Sequence, residues 1–184
     1  SLEDIRINGE LMKDISLPGN FLFNDAGAPN LPGNGKIVAM PMGSTPVLEI
    51  ISLRTEVFDN VMIAPAPVIP KDDKPGPLVY SKNEDIYNSD TFFPEEPIKI
   101  SAPMKLRGVD AVMLGITPFQ YNPVSKQLIV YRDIKVRISF EGGSGNFGEN
   151  RLRSRWWDPI LEDAIFNFTS LPVVDYNRNI KSGP

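Results

Sequence analysis

The sequence predicts an all-β protein, an antiparallel β-sandwich or jelly roll with one short C-terminal helix. Three observations lead to this fold class. One long segment alternates apolar and polar residues, many short β-rich runs are separated by Gly, Pro, Asn and Asp, and only one segment has helical spacing. This combination favours two packed antiparallel sheets over a parallel sheet flanked by helices.

Residues 127–140 are the clearest predicted strand, because successive side chains of a strand point to opposite faces of a sheet. The apolar residues of this segment fall on one face: Leu128, Val130, Ile134, Val136, Ile138 and Phe140. Turn residues occupy positions 121–126, and another β-rich run lies at 108–119. The two runs are predicted to pair as a hairpin.

The remaining predicted strands are shorter and are bounded by turn residues. They are residues 5–11, 20–23, 36–40, 46–58, 60–64, 78–80 and 98–104.

The predicted helix covers residues 158–168. Asp158 can cap it and Pro159 suits its first position, and the apolar residues share one face: Ile160, Leu161, Ala164, Ile165 and Phe168. The tail after it has no periodicity. We therefore expect one domain over residues 1–171 and a flexible tail over 172–184.

Composition excludes several function classes. The chain has 184 residues, a formal net charge of -4, no Cys and no His. Cys/His and Ser/His nucleophiles and the usual zinc and iron ligands are therefore missing, and we predict no enzyme activity, no cofactor and no metal. The sequence has no stripe of basic residues that could bind nucleic acid, and it has no apolar run long enough to span a membrane as a helix.

Three other groups of residues are candidate sites. Glu95 and Glu96 are adjacent, so on an extended segment they point apart and are interpreted as surface charge. The Asn and Asp residues near positions 24, 34 and 88–90 lack EF-hand spacing. Trp156 and Trp157 could form a platform for a sugar or a protein, although beside an amphipathic helix at least one is expected to pack on the core.

The segment from Pro65 to Pro77 contains five prolines around the charged run Lys71-Asp72-Asp73-Lys74. Proline fixes φ and removes a hydrogen-bond donor, so this segment is predicted to be an extended, stiffened surface loop. Such a loop is most often only a solvated connection, but a peptidase cleft accepts an extended chain. The pattern alone leaves the loop unassigned.

Several segments, in order along the chain, resemble the N-terminal propeptides of gingipain-type cysteine peptidases. They are residues 36–47, 61–65, 92–96, 106–109 and 118–128, and the resemblance covers roughly residues 30 to 170. In that family the propeptide is a β-sandwich that binds its caspase-like catalytic domain and keeps it latent through a loop. It also supports folding and export through the type IX secretion route.

The resemblance implies an inhibitory loop formed by Pro70, Lys71, Asp72, Asp73 and Lys74. In the lysine- and arginine-specific members a basic residue of this loop enters the primary specificity pocket. Matching the flanking segments brings Lys71 to that position, but the loop here is shorter and richer in proline, so Lys74 stays an alternative.

The sequence therefore predicts an exported inhibitory and chaperone-like prodomain whose partner is a caspase-like cysteine peptidase. Its signal peptide lies outside this sequence, its destination is the periplasm, the cell surface or the medium, and nucleic-acid binding and membrane insertion are not expected. Arg178 and Lys181 in the tail are the candidate processing positions. The alternative is a non-catalytic β-sandwich adhesion or carbohydrate-binding module.

Overall fold

The computed structural model describes residues 1–19, 24–70 and 76–176. Most of the regular structure is β-strand. The strands are β1 (Leu2–Ile7), β2 (Glu10–Ile15), β3 (Asn34–Ala39), β4 (Ser44–Phe58), β5 (Ile98–Ile100), β6 (Met104–Leu106), β7 (Val109–Ile116), β8 (Phe119–Asn122) and β9 (Gln127–Gly142). The helices are α1 (Glu84–Tyr87) and α2 (Asp158–Ala164), and 3-10 turns occupy Asn150–Leu152 and Phe168–Ser170.

The strands form antiparallel sheets, which confirms the predicted all-β class. β1 pairs with β2, and β8 pairs with β9. One sheet has the order β3-β7-β5, with β6 also paired to β7, and another has the order β4-β9-β8. The even-numbered apolar residues of β9 are less exposed than the charged residues between them, as the alternation predicted.

Two predicted elements are wrong in detail. The predicted hairpin of residues 108–119 with residues 127–140 does not form as a whole, because β7 ends at Ile116 and lies in another sheet and Pro118 interrupts the run. β9 pairs with β8, from Phe119 onward, on one side and with β4 on the other. The helix ends at Ala164 and not at 168, because Ile165 is extended and forms a parallel bridge with Ile37.

Three more predicted strands differ from those in the structure. Residues 5–11 span the turn of the β1–β2 hairpin, where Asn8 and Gly9 both have positive φ (50° and 86°), as a type I′ turn requires. Residues 98–104 are split into β5 and the start of β6, and residues 60–64 make an isolated bridge at Ile63. The predicted strand 20–23 lies outside the described residues.

The chain divides into two compact units. Unit 1 comprises Ser1–Gly35, Ile51–Lys99 and Gly115–Lys135, and unit 2 comprises Lys36–Ile50, Ile100–Leu114 and Val136–Pro184. The main core of unit 1 gathers apolar side chains from β2, β8, β9 and the connecting segments: Ile15, Leu31, Val61, Ile63, Phe119, Tyr121 and Leu128. A smaller cluster in the same unit joins Ile7, Met12 and Ala64.

The core of unit 2 lies on one face of the β3–β7 sheet. It contains Ala39, Val109, Leu161, Ile165 and Leu171, so α2 and the segment after it cover this face. Whether residues 1–171 behave as one domain stays a prediction. None of the helices in the described part of the chain is long and apolar enough to cross a membrane.

Candidate functional site

The chain enters the Pro-rich loop through a segment that is mostly buried up to Ala66 and exposed at Val68 and Ile69, here called the first leg (residues 61–70). Ile63 and Ala64 are 0% and 2% exposed. The Ala64 amide donates to the carbonyl of Lys13 at 2.9 Å, and the Ala64 carbonyl accepts from the Asn30 amide at 2.8 Å. Further along, the Ala66 amide donates to the Ala28 carbonyl at 2.7 Å. The first leg therefore has backbone partners on two sides, which predicts a well-fixed starting point for the loop.

Tyr87 of α1 also holds the first leg. Its hydroxyl donates to the carbonyl of Ile63 at 2.9 Å, and its ring packs against the main core of unit 1. Burial raises the pKa of Tyr87 well above its ordinary value, so the group stays a neutral donor at physiological pH. The side chain of Asn83 caps α1 by accepting from the Asp85 amide at 3.0 Å.

The chain leaves the loop through the return leg (residues 76–80), which is mostly exposed. The Val68 amide donates to the Val79 carbonyl at 2.8 Å, so the two legs are joined directly at the base of the loop. Beyond the return leg, Lys82 pairs with Glu10 at 2.6 Å. The Asn83 amide donates to the carbonyl of Gly27 at 2.9 Å, and a Cβ on Gly27 would lie 3.0 Å from the Ser81 carbonyl oxygen.

The base of the loop carries exposed apolar side chains. Val68, Ile69, Leu78 and Val79 are 46%, 63%, 50% and 57% exposed. Four aliphatic residues on two joined legs form an apolar rim, and such a rim is typical of a surface that another protein covers.

The structure places only part of the predicted loop. Pro70 is the last described residue of the first leg, whereas Lys71, Asp72, Asp73 and Lys74 lie outside the described residues. The processing candidates Arg178 and Lys181 lie outside them as well. Sequence reasoning missed Tyr87, for which Asn83 followed by Glu84 and Asp85 was the available signal of a helix start.

The other groups of residues serve as turn and surface contacts. Glu95 and Glu96 are exposed. Asp90 accepts a hydrogen bond from Asn122 at 2.9 Å, and Asn24 donates to Asn30. In residues 1–19, 24–70 and 76–176 no three acidic side chains lie close enough to hold a metal ion.

Neither tryptophan is buried, so the expectation that at least one packs on the core is wrong. Trp156 is 74% exposed and Trp157 is 37% exposed. The guanidinium of Arg107 lies 3.7 Å from the centroid of the Trp157 ring, where a cation over an aromatic face is stabilising.

Known proteins with similar sequences are gingipains of Porphyromonas gingivalis. Lys-gingipain HG66 is 28% identical over 175 residues, which are 90% of this chain and 10% of that protein. Gingipain R2 is 33% identical over 126 residues, or 67% of this chain and 17% of that protein. The chain thus spans about a tenth of the length of the Lys-gingipains that it matches.

Two solved structures share the fold. The complex of the P. gingivalis RgpB pro- and mature domains gives a TM-score of 0.76 at 25% identity, covering 91% of this chain and 87% of that one. The structure described as an insight into the zymogenic latency of P. gingivalis gingipain K gives 0.60 at 29% identity, covering 76% and 80%.

The family model Propeptide_C25 matches residues 1–169. That match covers nearly the whole chain and agrees with the two structural likenesses to gingipain prodomain structures. The chain belongs to the Propeptide_C25 family, and it is a gingipain-type propeptide domain, which is not itself catalytic.

Proposed function

We propose that this prodomain keeps a gingipain-type, caspase-like cysteine peptidase latent by inserting a substrate-like loop centred on Lys71 into its active-site cleft. The same contact assists folding of the peptidase. The relatives support the proposal: the RgpB structure is a complex of pro- and mature domains, and the gingipain K structure concerns zymogenic latency.

The observation that carries the proposal is the way the two legs are held. The first leg is hydrogen-bonded on two sides up to Ala66, and the bond between Val68 and Val79 joins the legs. A loop that starts from two fixed, joined ends loses less conformational freedom on docking than a loop with free ends. Pro70, at the end of the first leg, restricts the backbone further.

The apolar rim supplies the contact surface for a partner. The exposed side chains of Val68, Ile69, Leu78 and Val79 flank the loop on both sides. Covering them removes apolar surface from water, which favours association and shields apolar surface of the partner during its folding. An inhibitory role and a folding role therefore use the same surface.

Replacing Lys71 with Ala tests the substrate-like contact. A lysine-selective pocket left without its basic side chain keeps an unpaired acidic or polar group, and truncating such a contact costs ~2 to 4 kcal/mol. The inhibition constant for the precursor's own catalytic domain should rise roughly 30- to 1,000-fold. The melting temperature of the prodomain should stay within about 2 °C, as for most surface substitutions.

Lys74→Ala is the matched control, with the same loss of charge three residues away. If Lys74→Ala weakens inhibition and Lys71→Ala does not, Lys74 occupies the pocket. If neither variant weakens it, the substrate-like mechanism is wrong.

Processing and export belong to the same proposal. A basic-specific peptidase would cut the tail at Arg178 or Lys181, and the precursor would leave the cell by the type IX route. N-terminal sequencing of the mature enzyme checks the cut, and a mature start before residue 168 would contradict it.

The alternative of a carbohydrate-binding module has less support. A sugar ring stacks on a free aromatic face, but the guanidinium of Arg107 already covers one face of Trp157. Trp156 is left as a single exposed ring with Arg155 at 5.0 Å from its centroid. No observation in the described residues adds the polar groups that a sugar site needs.

A further inference from the structure

An apolar groove in unit 2 is left open on the sheet face opposite α2. Val38 of β3 and Leu114 of β7 form its floor, and Val136, Ile138 and Phe140 of β9 form its wall. It encloses about 380 Å³. Ligand pockets start at about 300 Å³, so the groove can accept one or two large apolar side chains. The three wall residues are only half-buried and keep apolar surface in contact with water.

Phe166 stands at the rim of this groove and is 75% exposed. Its exposure is imposed by the backbone around it. The Phe166 amide donates to the Ile37 carbonyl at 2.8 Å, and the Asn167 side chain accepts from the Ala39 amide at 2.8 Å and donates to the Ala39 carbonyl at 2.9 Å. Ile165 is buried in the core of unit 2. Ile165 is extended, whereas Phe166 and Asn167 form a turn, and the hydrogen bonds on both sides of Phe166 hold its side chain in an exposed position.

Lys36 is the charged residue that lines the groove. It is exposed, and among the described residues no carboxylate lies within ion-pair distance of it. A partner that places an apolar side chain in the groove and a carboxylate beside Lys36 would complement both the shape and the charge of this surface.

We propose that the Phe166 groove (Lys36, Val38, Leu114, Ile138, Phe140 and Phe166) is a second docking surface for the peptidase, which fills it with an apolar side chain next to an acidic residue. The partner's identity rests on the proposed function. The groove shares no residue with the loop, so variants of the groove leave the loop sequence unchanged. Two linked contacts bind more tightly than either alone.

The test separates binding from inhibition. Phe166→Ala and Lys36→Glu are introduced both into the wild-type prodomain and into a Lys71→Ala, Lys74→Ala background. Binding to the precursor's own catalytic domain is measured by calorimetry, and inhibition is measured with a peptide substrate. Each groove variant should weaken binding at least tenfold in both backgrounds. Lys36→Arg should bind within threefold of wild type.

Matched controls show whether the effect is local. Trp156→Ala removes an aromatic side chain of equal exposure, and Lys135→Glu makes the same charge change next to Val136 on β9, on an exposed position outside the groove. Both controls should bind within threefold of wild type. Because Phe166 and Lys36 are exposed, circular dichroism and melting temperature should be unchanged in all variants.

The outcomes distinguish the two proposals. If wild type inhibits and the groove variants bind as tightly as wild type, the groove proposal is wrong and the loop mechanism stands. If wild type binds without inhibiting and the groove variants lose binding, the loop mechanism is wrong and the groove stands. If the prodomain alone self-associates in sedimentation experiments and Phe166→Ala abolishes this, the occupant is a second copy and the proposal is overturned.

Discussion

Arg153 is the most deeply buried charge in the described part of the chain. Its side chain is 3% exposed and pairs with Asp158 at 2.7 Å, while its other nitrogens donate to Asp158 and to the carbonyl of Pro172. Its guanidinium also lies 5.4 Å from the centroid of the Phe168 ring. Burial raises the pKa of Asp158, but the hydrogen bonds from Arg153 and Tyr176 and the charge of Arg153 together outweigh burial and lower it. Arg153 therefore links the start of α2 to the chain that leads to the tail.

Arg153→Ala should strongly destabilise the domain. The substitution removes the charged partner of the Asp158 carboxylate and the guanidinium donor to the Pro172 carbonyl. Removing one partner of a buried ion pair costs ~3 to 5 kcal/mol. The loss is measured by urea denaturation. Arg151→Ala is the control, because the Arg151 side chain is 78% exposed in its pair with Glu149 and should matter by less than about 1 kcal/mol. Equal losses for the two variants would contradict this role of Arg153.

Tyr87→Phe should cost about 1 kcal/mol, since it removes one hydrogen bond to the first leg. The variant should also change the alkaline stability. The pKa of Tyr87 is raised by burial in the folded state. Its contribution to the free energy of unfolding is therefore complete below the unfolded pKa of about 10 and is lost as pH rises above that value. Between pH 8 and 11, the melting temperature of Tyr87→Phe should fall less than that of the wild type. Parallel curves would show that another group causes the alkaline loss.

At the scale of elements, the β8–β9 hairpin depends on one side chain in its turn. Asn122 is 5% exposed, and its side-chain oxygen accepts from the amides of Val124 and Ser125 at 3.0 and 3.1 Å. Its side-chain nitrogen donates to Asp90. These three bonds fix the turn that sets the pairing of Phe119 with Val130.

Asn122→Ala should therefore destabilise the domain by about 2 kcal/mol, because two amides and one carboxylate lose a partner in a mostly buried place. Chemical denaturation, followed by far-ultraviolet circular dichroism, measures the loss of stability. Gln127→Ala removes a single exposed bond to Asp59 in the same hairpin and should cost less than about 0.5 kcal/mol. The interpretation fails if Gln127→Ala is the more damaging change.

The same elements show what a single sequence can predict. The alternation of residues 127–140 is enough to predict β9, because a long strand that is buried on one face alternates apolar and polar residues. The pairing of that strand could not be predicted from spacing, since Pro118 moves the chain from β7 to β8 within two residues and each strand lies in a different sheet. The end of α2 is set by the bridge between Ile165 and Ile37, a contact between residues far apart in sequence.

For the candidate site too, local sequence patterns allow predictions, whereas contacts between residues far apart in sequence do not. The prolines predicted an extended loop, and the composition predicted that the chain carries no His or Cys catalyst. The partners of the first leg, such as Lys13, Ala28 and Asn30, could not be predicted because a backbone hydrogen bond does not depend on which residue provides the carbonyl or the amide. The Asn8-Gly9 turn was predictable, since this dipeptide is a strong hairpin signal.

At the scale of the whole molecule, the absence of His and Cys makes the prodomain insensitive to pH near neutrality. No side chain titrates at its ordinary pKa between about pH 6 and 8. The pKa values of Asp110 and Asp158 are lowered, so their contribution is present above the ordinary carboxyl range and is lost only as pH falls through their folded pKa values. Burial raises the pKa values of Tyr87 and Tyr121, so their ionisation changes the stability only above about pH 10.

The melting temperature should accordingly be constant within about 2 °C from pH 6 to 8 and should fall in acid and in strong alkali. Differential scanning calorimetry in matched ionic strength checks this. A steep change inside the neutral window would contradict it. Any pH dependence of inhibition in that window should then come from titrating groups of the peptidase.

The hydrogen bond between Val68 and Val79 has a consequence for a chain that has been cut. The first leg is held by Lys13, Ala28 and Asn30, and the chain beyond Val79 is held by Glu10 and Gly27. A single scission between residues 70 and 76 would therefore leave both fragments in place. Such a nicked prodomain should elute from a sizing column as one particle and separate into two bands only in a denaturing gel, so that breaking the covalent chain and releasing the inhibitor are two different events.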